Sequence, residues 1–448
     1  MNSKLRKLVV LFIIIFSSAH FVCSANNVVL KKSVSLIRQM TLANTYYEIT
    51  EDFDLQGKKL IVPANSTLVF RGGSIQNGEI VFNGTSIINP SFHKMHFSGS
   101  TPEDYFDIAD YGAESGVKSV DCAVLINEII RLKRPDTSGR DAKTIHIPNG
   151  SFYIKSPIVL WAGWEAPITL EGNGNTSSIC QLTDNEYLIK VYECHNVKNL
   201  RLTYNKRQNL IQNRSIAVAC QRAIFCLFEN LTICKAYTAF GYITKADYKG
   251  DGLTNLNEQC YVSCNFRNIR IYEFSSYAFD FRKERLGGDS GSVYDNIYIN
   301  CYDWLANTRD NVSRGAINGN NTIAVFTQLN IEGANYSEPL IVLNGMSRVN
   351  ITSLHVEGPQ NVPPLMKIED QSVIQTSMLD LQSCLFKEKD YTMFLLTENG
   401  IIDVGQLMIR DDCKKDKEVQ TLSLYKSLHG LRGKIEIKRT FDAIKLLK

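Results

Sequence analysis

The sequence predicts an all-β fold, a right-handed parallel β-helix, and three observations carry that expectation. Between Asn321 and Gln382 the segments Gln328-Leu-Asn-Ile-Glu-Gly333, Ser353-Leu-His-Val-Glu-Gly358 and Met378-Leu-Asp-Leu-Gln-Ser383 recur. Their apolar pairs Leu329/Ile331, Leu354/Val356 and Leu379/Leu381 are spaced by 25 residues. Each unit alternates apolar and polar positions, the pattern of a half-buried strand. A short-strand repeat of this kind hides its apolar face only by stacking on its neighbours, which makes a solenoid.

The same frame runs backwards through Asn199-Leu-Arg-Leu-Thr203, Asn230-Leu-Thr-Ile-Cys234, Asn268-Ile-Arg-Ile-Tyr272 and Asn296-Ile-Tyr-Ile-Asn300, and forwards through Gln406-Leu-Met-Ile-Arg410. Second strands lie between these anchors at Tyr277–Phe281, Leu340–Leu343 and Thr392–Leu396. A third set precedes the next anchor at Tyr261–Cys264, Thr322–Phe326 and Ser372–Gln375. Three short strands per turn describe a parallel β-helix, and the preference for right-handed crossovers sets its expected hand.

The chain has 448 residues, with 49 Lys and Arg against 46 Asp and Glu. Residues 1–25 read as a signal peptide: Lys4, Arg6 and Lys7, the apolar run Leu8–Phe16, then Cys23-Ser-Ala25 as a cleavage site. The run is too short to span a bilayer comfortably, so the mature chain is expected to lack an integral membrane segment. Cys23 is an alternative lipidation site, although Val22 before it fits poorly. Cleavage leaves equal numbers of basic and acidic residues, which argues against a general affinity for nucleic acid or membranes. The expected location is exported: periplasmic, cell-surface or secreted. Eleven cysteines then remain, with no pair of CxxC motifs for a zinc ribbon. Those in or beside strands serve as small buried hydrophobes, and disulfides among them stay open.

In chain order, residues 26–98 divide into a leader without much structure (Asn26–Thr45) and a small β region (Tyr46–Ile88), either narrow coils or a small sandwich. The main β-helix is expected over 99–411 and a C-terminal coil and cap over 412–448. Ser119 or Asp121 caps a helix reaching about Leu132, with Leu125, Ile126, Ile129 and Leu132 on its apolar face. Strands follow at Thr144–Ile154, Ile158–Leu160 and Ile168–Gly172. From Asp411 the repeat fades, with a last strand at Lys434–Lys438 and a short cap at Phe441–Leu447.

The order Asp107-Ile-Ala-Asp-Tyr-Gly-Ala113, helix, then Ile147-Pro-Asn-Gly-Ser-Phe-Tyr153 resembles the entry segment of the pectate-lyase-like (pectin lyase-like) right-handed β-helix superfamily. The match covers roughly 105–172, with repeat-level similarity to about Arg410. It departs at the helix start, where Ser119-Val-Asp121 stands in place of paired acidic residues. The resemblance implies a helix covering the open end of the coils and an association with polysaccharides. It names no reaction, because the fold hosts lyases, hydrolases, esterases and phage spikes.

Stacked anchors should align their outward residues in two rows. One reads Arg201, Thr232, Arg270, Tyr298, Asn330, His355, Asp380, Met408; the other Thr203, Cys234, Tyr272, Asn300, Glu332, Glu357, Gln382, Arg410. Glu332 and Glu357 fall on adjacent rungs, about 4.8 Å apart, which suits a retaining glycosidase. Solvent-facing residues before a turn glycine would look the same. Arg270, Tyr298 and His355 suit β-elimination instead: a cation for a uronate carboxylate and groups that move protons. A surface ladder of stacked side chains is the structural alternative.

Three loops, Lys245–Glu258, Arg282–Gly291 and Arg309–Asn320, are expected to leave after second strands and wall one groove. With Tyr272, their Arg282, Arg285, Arg309 and Arg314 are candidate contacts to a polysaccharide of anionic character. Trp161, Trp164 and Trp304 suit either sugar stacking or core packing. No cofactor is expected; Asp247 and Asp251 offer only a weak Ca²⁺ signal. The reading is an exported protein that cleaves a polysaccharide, by elimination on a uronate-containing chain ahead of hydrolysis by the glutamate pair. A noncatalytic glycan-binding or surface protein is the third reading.

Overall fold

Alternating apolar residues leave each anchor half-buried, and the chain hides that half by coiling. The structure, a computed structural model, describes residues 26–135, 142–161, 166–209, 215–243, 260–281, 288–302, 312–333, 335–358, 363–387, 390–397, 399–415, 421–427 and 434–441. The anchors form one long parallel sheet from Tyr105–Asp107 through Asn196–Tyr204, Asp289–Asn300, Ile323–Glu332, Arg348–Glu357 and Val373–Gln382 to Lys434–Phe441. A second parallel sheet runs from Ile158–Leu160 through Tyr277–Phe281 and Ile341–Asn344 to Thr421–Ser427. This is a parallel β-helix. Leu329, Leu354 and Leu379 pair in register, each at most 1% exposed, so the 25-residue spacing is one turn of the coil.

Three features differ from the sequence reading. The expected third strand and the anchor are often one strand bent at a corner, as in Ile323–Glu332 and Val373–Gln382. The anchors' leading asparagines make four of these corners: Asn199, Asn230, Asn268 and Asn296 have φ of 56°, 52°, 53° and 54°. Asn tolerates this left-handed conformation better than other L-residues with a Cβ. The four amides stack, with the Nδ2 of Asn230, Asn268 and Asn296 donating to the Oδ1 one coil back, at 2.8, 2.9 and 2.8 Å. Second strands also occur at Ile189–Val191, Ile216–Cys220, Thr238–Tyr242 and Gly315–Asn320, where short or Gly/Asn-containing runs hide the pattern.

The amino end is more ordered than a leader. Asn26–Val29 pairs with Thr45–Ile49, and Leu36–Gln39 forms a helical turn, because Leu30, Leu36 and Met40 reach the core. The region to Ile88 is narrow coils, since its strand pairings are all parallel. Phe53–Asp54 and Lys59–Ile61 are two short strands separated by a turn.

The helix is Cys122–Arg131, with Asp121 as its cap accepting from the Ala123 amide at 3.1 Å. Its buried face is Cys122, Ala123, Ile126, Ile129 and Ile130, while Leu125 is partly buried and Leu132 ends the helix. It does not cover an open end. It packs on Gly150–Ile154 and Ile158–Leu160 on one side and on Phe92–Ser100, from the narrow coils, on the other.

At the carboxyl end the coil continues beyond Asp411. Thr421–Ser427 and Lys434–Phe441 extend the two sheets, and Lys414–Lys415 is a short strand paired with Leu385–Phe386. The expected signal peptide and most of the expected terminal cap (442–448) lie outside the described residues. Eleven cysteines are described, and all are free thiols. No helix among the described residues is long and apolar enough to cross a membrane.

Candidate active site

The two outward rows form in register. Arg201, Thr232, Arg270, Tyr298, Asn330, His355, Asp380 and Met408 pair in succession, as do Thr203, Cys234, Tyr272, Asn300, Glu332, Glu357 and Gln382. Between inward-pointing apolar residues, strand alternation leaves these side chains nowhere to go but outward. Cys234, Asn300 and Asp380 are nevertheless buried, covered by their neighbours.

Two hydrogen-bonded groups meet in the middle of this face, one ending at Glu332 and the other at Glu357. The Tyr298 hydroxyl donates to Glu332 Oε2 at 2.6 Å and accepts from Asn300 Nδ2 at 3.1 Å. Tyr336 donates its hydroxyl to the Glu332 backbone carbonyl at 2.7 Å. Glu332 pairs directly with Glu357 on the next rung. His355 Nε2 lies 3.3 Å from Glu357 Oε2, and its Nδ1 lies 3.0 Å from Asp380 Oδ2. Arg410 grips Asp380 with two bonds, Nε to Oδ1 at 3.0 Å and a terminal nitrogen to Oδ2 at 2.6 Å. Both ring nitrogens of His355 thus face carboxylate oxygens.

Burial pushes the Glu332 carboxyl above its ordinary range, and the charge of Glu357 adds to this; the bond from Tyr298 works in the opposite direction. Burial, helped by the bond to Glu332, also raises the Tyr298 phenol, so it stays protonated. Asp380 is held below the usual carboxylate range, first by Arg410 and then by His355. Glu332 therefore holds its proton to higher pH than an ordinary glutamate, and Glu357 beside it has a side chain 39% exposed.

A groove of about 530 Å³ lies beside these groups, over the row containing Thr232, Arg270, Tyr298 and Asn330. The asparagine corners form one edge and Gly174 and Asn175 one end. Tyr272 lines it and leans on Tyr298, with ring centroids 5.6 Å apart. Arg270 is exposed.

The loop expectation needs correction. Lys245–Glu258, with Asp247 and Asp251, lies outside the described residues, as do Arg282, Arg285, Arg309, Trp164 and Trp304. Asp289–Gly291 and Gly315–Asn320 belong to strands. In chain order Arg309 and Arg314 precede the second strand Gly315–Asn320, whereas Arg282 and Arg285 follow the second strand Tyr277–Phe281. Arg314 is engaged within the protein: its Nε bonds Glu338 Oε1 at 2.6 Å and its guanidinium lies over the Tyr277 ring at 5.5 Å. Trp161 is 48% exposed and lines none of the grooves described.

Reading the sequence named Glu332, Glu357, His355, Tyr298 and Arg270 but gave no role to Asp380, Arg410 or Asn300. Their signal was present: each occupies one of the two rows, beside a residue with which it bonds. No protein-family model matches the chain, and no curated protein matches it. Among solved structures, the chain is similar to the catalytic unit of a thermostable GH87 alpha-1,3-glucanase from Streptomyces thermodiastaticus strain HF3-3. The identity is 8% and the TM-score 0.37, over 75% of this chain and 69% of that one.

Proposed function

We propose that this is an exported enzyme that hydrolyses a polysaccharide, with Glu332 as general acid and Glu357 as nucleophile. One observation carries the reading: two glutamates stand in register on adjacent rungs, and burial raises the carboxyl of Glu332, the one assigned as acid. Rungs about 4.8 Å apart suit the short carboxyl separation of retaining enzymes. In the first step Glu332 gives its proton to the leaving oxygen while Glu357 bonds to the anomeric carbon. In the second, Glu332 takes a proton from water, whose oxygen displaces Glu357. Tyr298 holds Glu332 by one oxygen, and His355, steadied by Asp380 and Arg410, holds Glu357.

Elimination is the second reading, favoured by Arg270, an exposed cation next to Tyr298 in the groove. His355 serves it less well as a base, because both ring nitrogens are already engaged. Product analysis on a polysaccharide panel separates the readings. Hydrolysis with retention gives new reducing ends whose first-formed anomer, read by NMR, matches the substrate linkage. Elimination gives an unsaturated product absorbing in the ultraviolet. Glu332→Gln and Glu357→Gln should each lower hydrolysis at least about a hundredfold. Retention of a glycan without any cleavage product would favour a binding protein and defeat both enzymatic readings.

A further inference from the structure

The first outward row carries cations on alternate rungs before it reaches the glutamates. Arg201 and Arg270 are separated by one intervening strand at Thr232, and Arg270 by one at Tyr298 from the rung of Asn330 and Glu332. Each step spans two rungs, about 9.6 Å at the usual strand spacing. That step is close to the length of one disaccharide in an extended chain. Neither guanidinium makes an ion pair or a side-chain hydrogen bond among the described residues. This contrasts with Arg314 on Glu338 and Arg410 on Asp380. Arg270 is the one charged residue lining the groove; the rest are amides, Gly174, Thr232, Tyr272 and Tyr298. A solvated arginine needs no ligand, but the groove offers Arg270 no acidic neighbour and sets an aromatic platform beside it.

We propose that this groove, together with the Arg201 rung at its Gly174 and Asn175 end, binds an anionic polysaccharide whose acid groups recur on every second sugar, with the chain lying along the solenoid axis. Arg270 takes one acid group in a bidentate fork, Arg201 the next, and Tyr272 and Tyr298 pack against the intervening sugar. The glutamates then meet the linkage one disaccharide beyond the acid held by Arg270. This rests on the hydrolytic reading for where cleavage occurs, but not for binding. The shared chemistry is an oxyanion, either a carboxylate or a sulfate ester.

The test uses the full chain carrying Glu357→Gln, so that binding is read without turnover. Calorimetric titrations use oligosaccharides of hyaluronan (carboxylate on alternate sugars), κ-carrageenan (sulfate on alternate sugars), polygalacturonate (carboxylate on every sugar) and dextran (none). Tighter binding of one alternating probe than of polygalacturonate and dextran is expected, and which one binds identifies the oxyanion. Adding Arg270→Gln should weaken that binding at least tenfold, with Arg270→Lys recovering part of it. Arg201→Gln should weaken only the longer oligomers that reach its rung. Equal binding of dextran, no binding of either alternating probe, or indifference to Arg270→Gln would each overturn the proposal. If the alternating probe binds through Arg270 but the wild-type enzyme leaves it uncut, hydrolysis fails and this site stands. If dextran is cut and Arg270 is dispensable, the site fails and hydrolysis stands.

Discussion

Tyr298 controls Glu332 through one hydroxyl. Its bond stabilises the ionised carboxylate and so opposes the upward push from burial and from Glu357. Tyr298→Phe removes that opposition and should raise the Glu332 pKa further. If Glu332 is the general acid, the basic limb of the kcat–pH profile moves to higher pH in this variant; an unchanged limb would assign the acid elsewhere. Asp289 is a second perturbed carboxyl, fully buried, with Tyr294 donating to its Oδ2 at 2.5 Å and Oδ1 without a partner among the described residues. Burial pushes it up to about 7. A raised folded pKa means that the folded state holds the proton more tightly. Its stabilising contribution is complete below the unfolded value near 4 and is lost as pH rises through about 7. Urea midpoints of the wild type should therefore fall between pH 5 and pH 8 by more than those of Asp289→Asn. Parallel pH dependences in the two proteins would refute a protonated Asp289. The site residues were partly legible because alternation tells which side chains face out. Which outward residues bond to one another was not legible, since the bond between Glu332 and Tyr298 depends on rotamers that the repeat leaves free.

The corner is the element on which the wide coil depends. At Asn268 two terms compete when the side chain is removed: the ladder bonds to Asn230 and Asn296, and the cost of a left-handed backbone. The ladder bonds are exposed, so each contributes at the low end of about 0.5–1.5 kcal/mol. An ordinary L-residue at this φ costs roughly 1–2 kcal/mol. Asn268→Ala loses on both terms, and Asn268→Gly, free to adopt positive φ, loses the ladder alone. Alanine should be the more destabilising by about 1 kcal/mol in chemical denaturation; glycine equal to or worse than alanine would show that the amide stack dominates. Beside the ladder runs a register row of mostly alternating sign: Asp107, His146, Glu171, Lys198, Glu229, Arg267 and Asp295. It avoids like charges on facing rungs, which matters more for register than the small energy of any one surface pair. The sequence exposed the anchors because their apolar pairs repeat, and the long C-terminal strands kept that period. It obscured the corners, since an asparagine before an apolar run reads as the strand's first residue rather than as its bend. Gly315–Asn320 was hidden for a related reason, since Gly and Asn are depleted in strands and here pack as one between neighbours on both sides.

At the scale of the molecule, the question is whether the narrow coils are an appendage or part of the main stack. One hydrophobic core runs without interruption from Leu30 to Cys413. Strand Phe92–Ser100 crosses the boundary at 98/99 expected from composition. Phe92 and Phe97 pack on Tyr111, with ring centroids 5.5 and 5.4 Å apart, and Tyr111 lies against Phe106 of the first wide coil. Glu128, on the helix, accepts from the Phe97 amide at 3.0 Å, the Thr101 amide donates to the Lys133 carbonyl, and the Lys133 amide donates to the Gly99 carbonyl. In a solenoid each unit owes much of its stability to the interface with its neighbour. A protein lacking residues 26–98 should therefore lose more than the missing coils' own contribution, because Phe106, Tyr111 and one face of the helix become exposed. Its thermal midpoint should fall by several degrees, and amide exchange should accelerate in Cys122–Arg131 before it does in Arg348–Glu357. An unchanged midpoint, with the helix as protected as in the full chain, would make the narrow coils an independent domain.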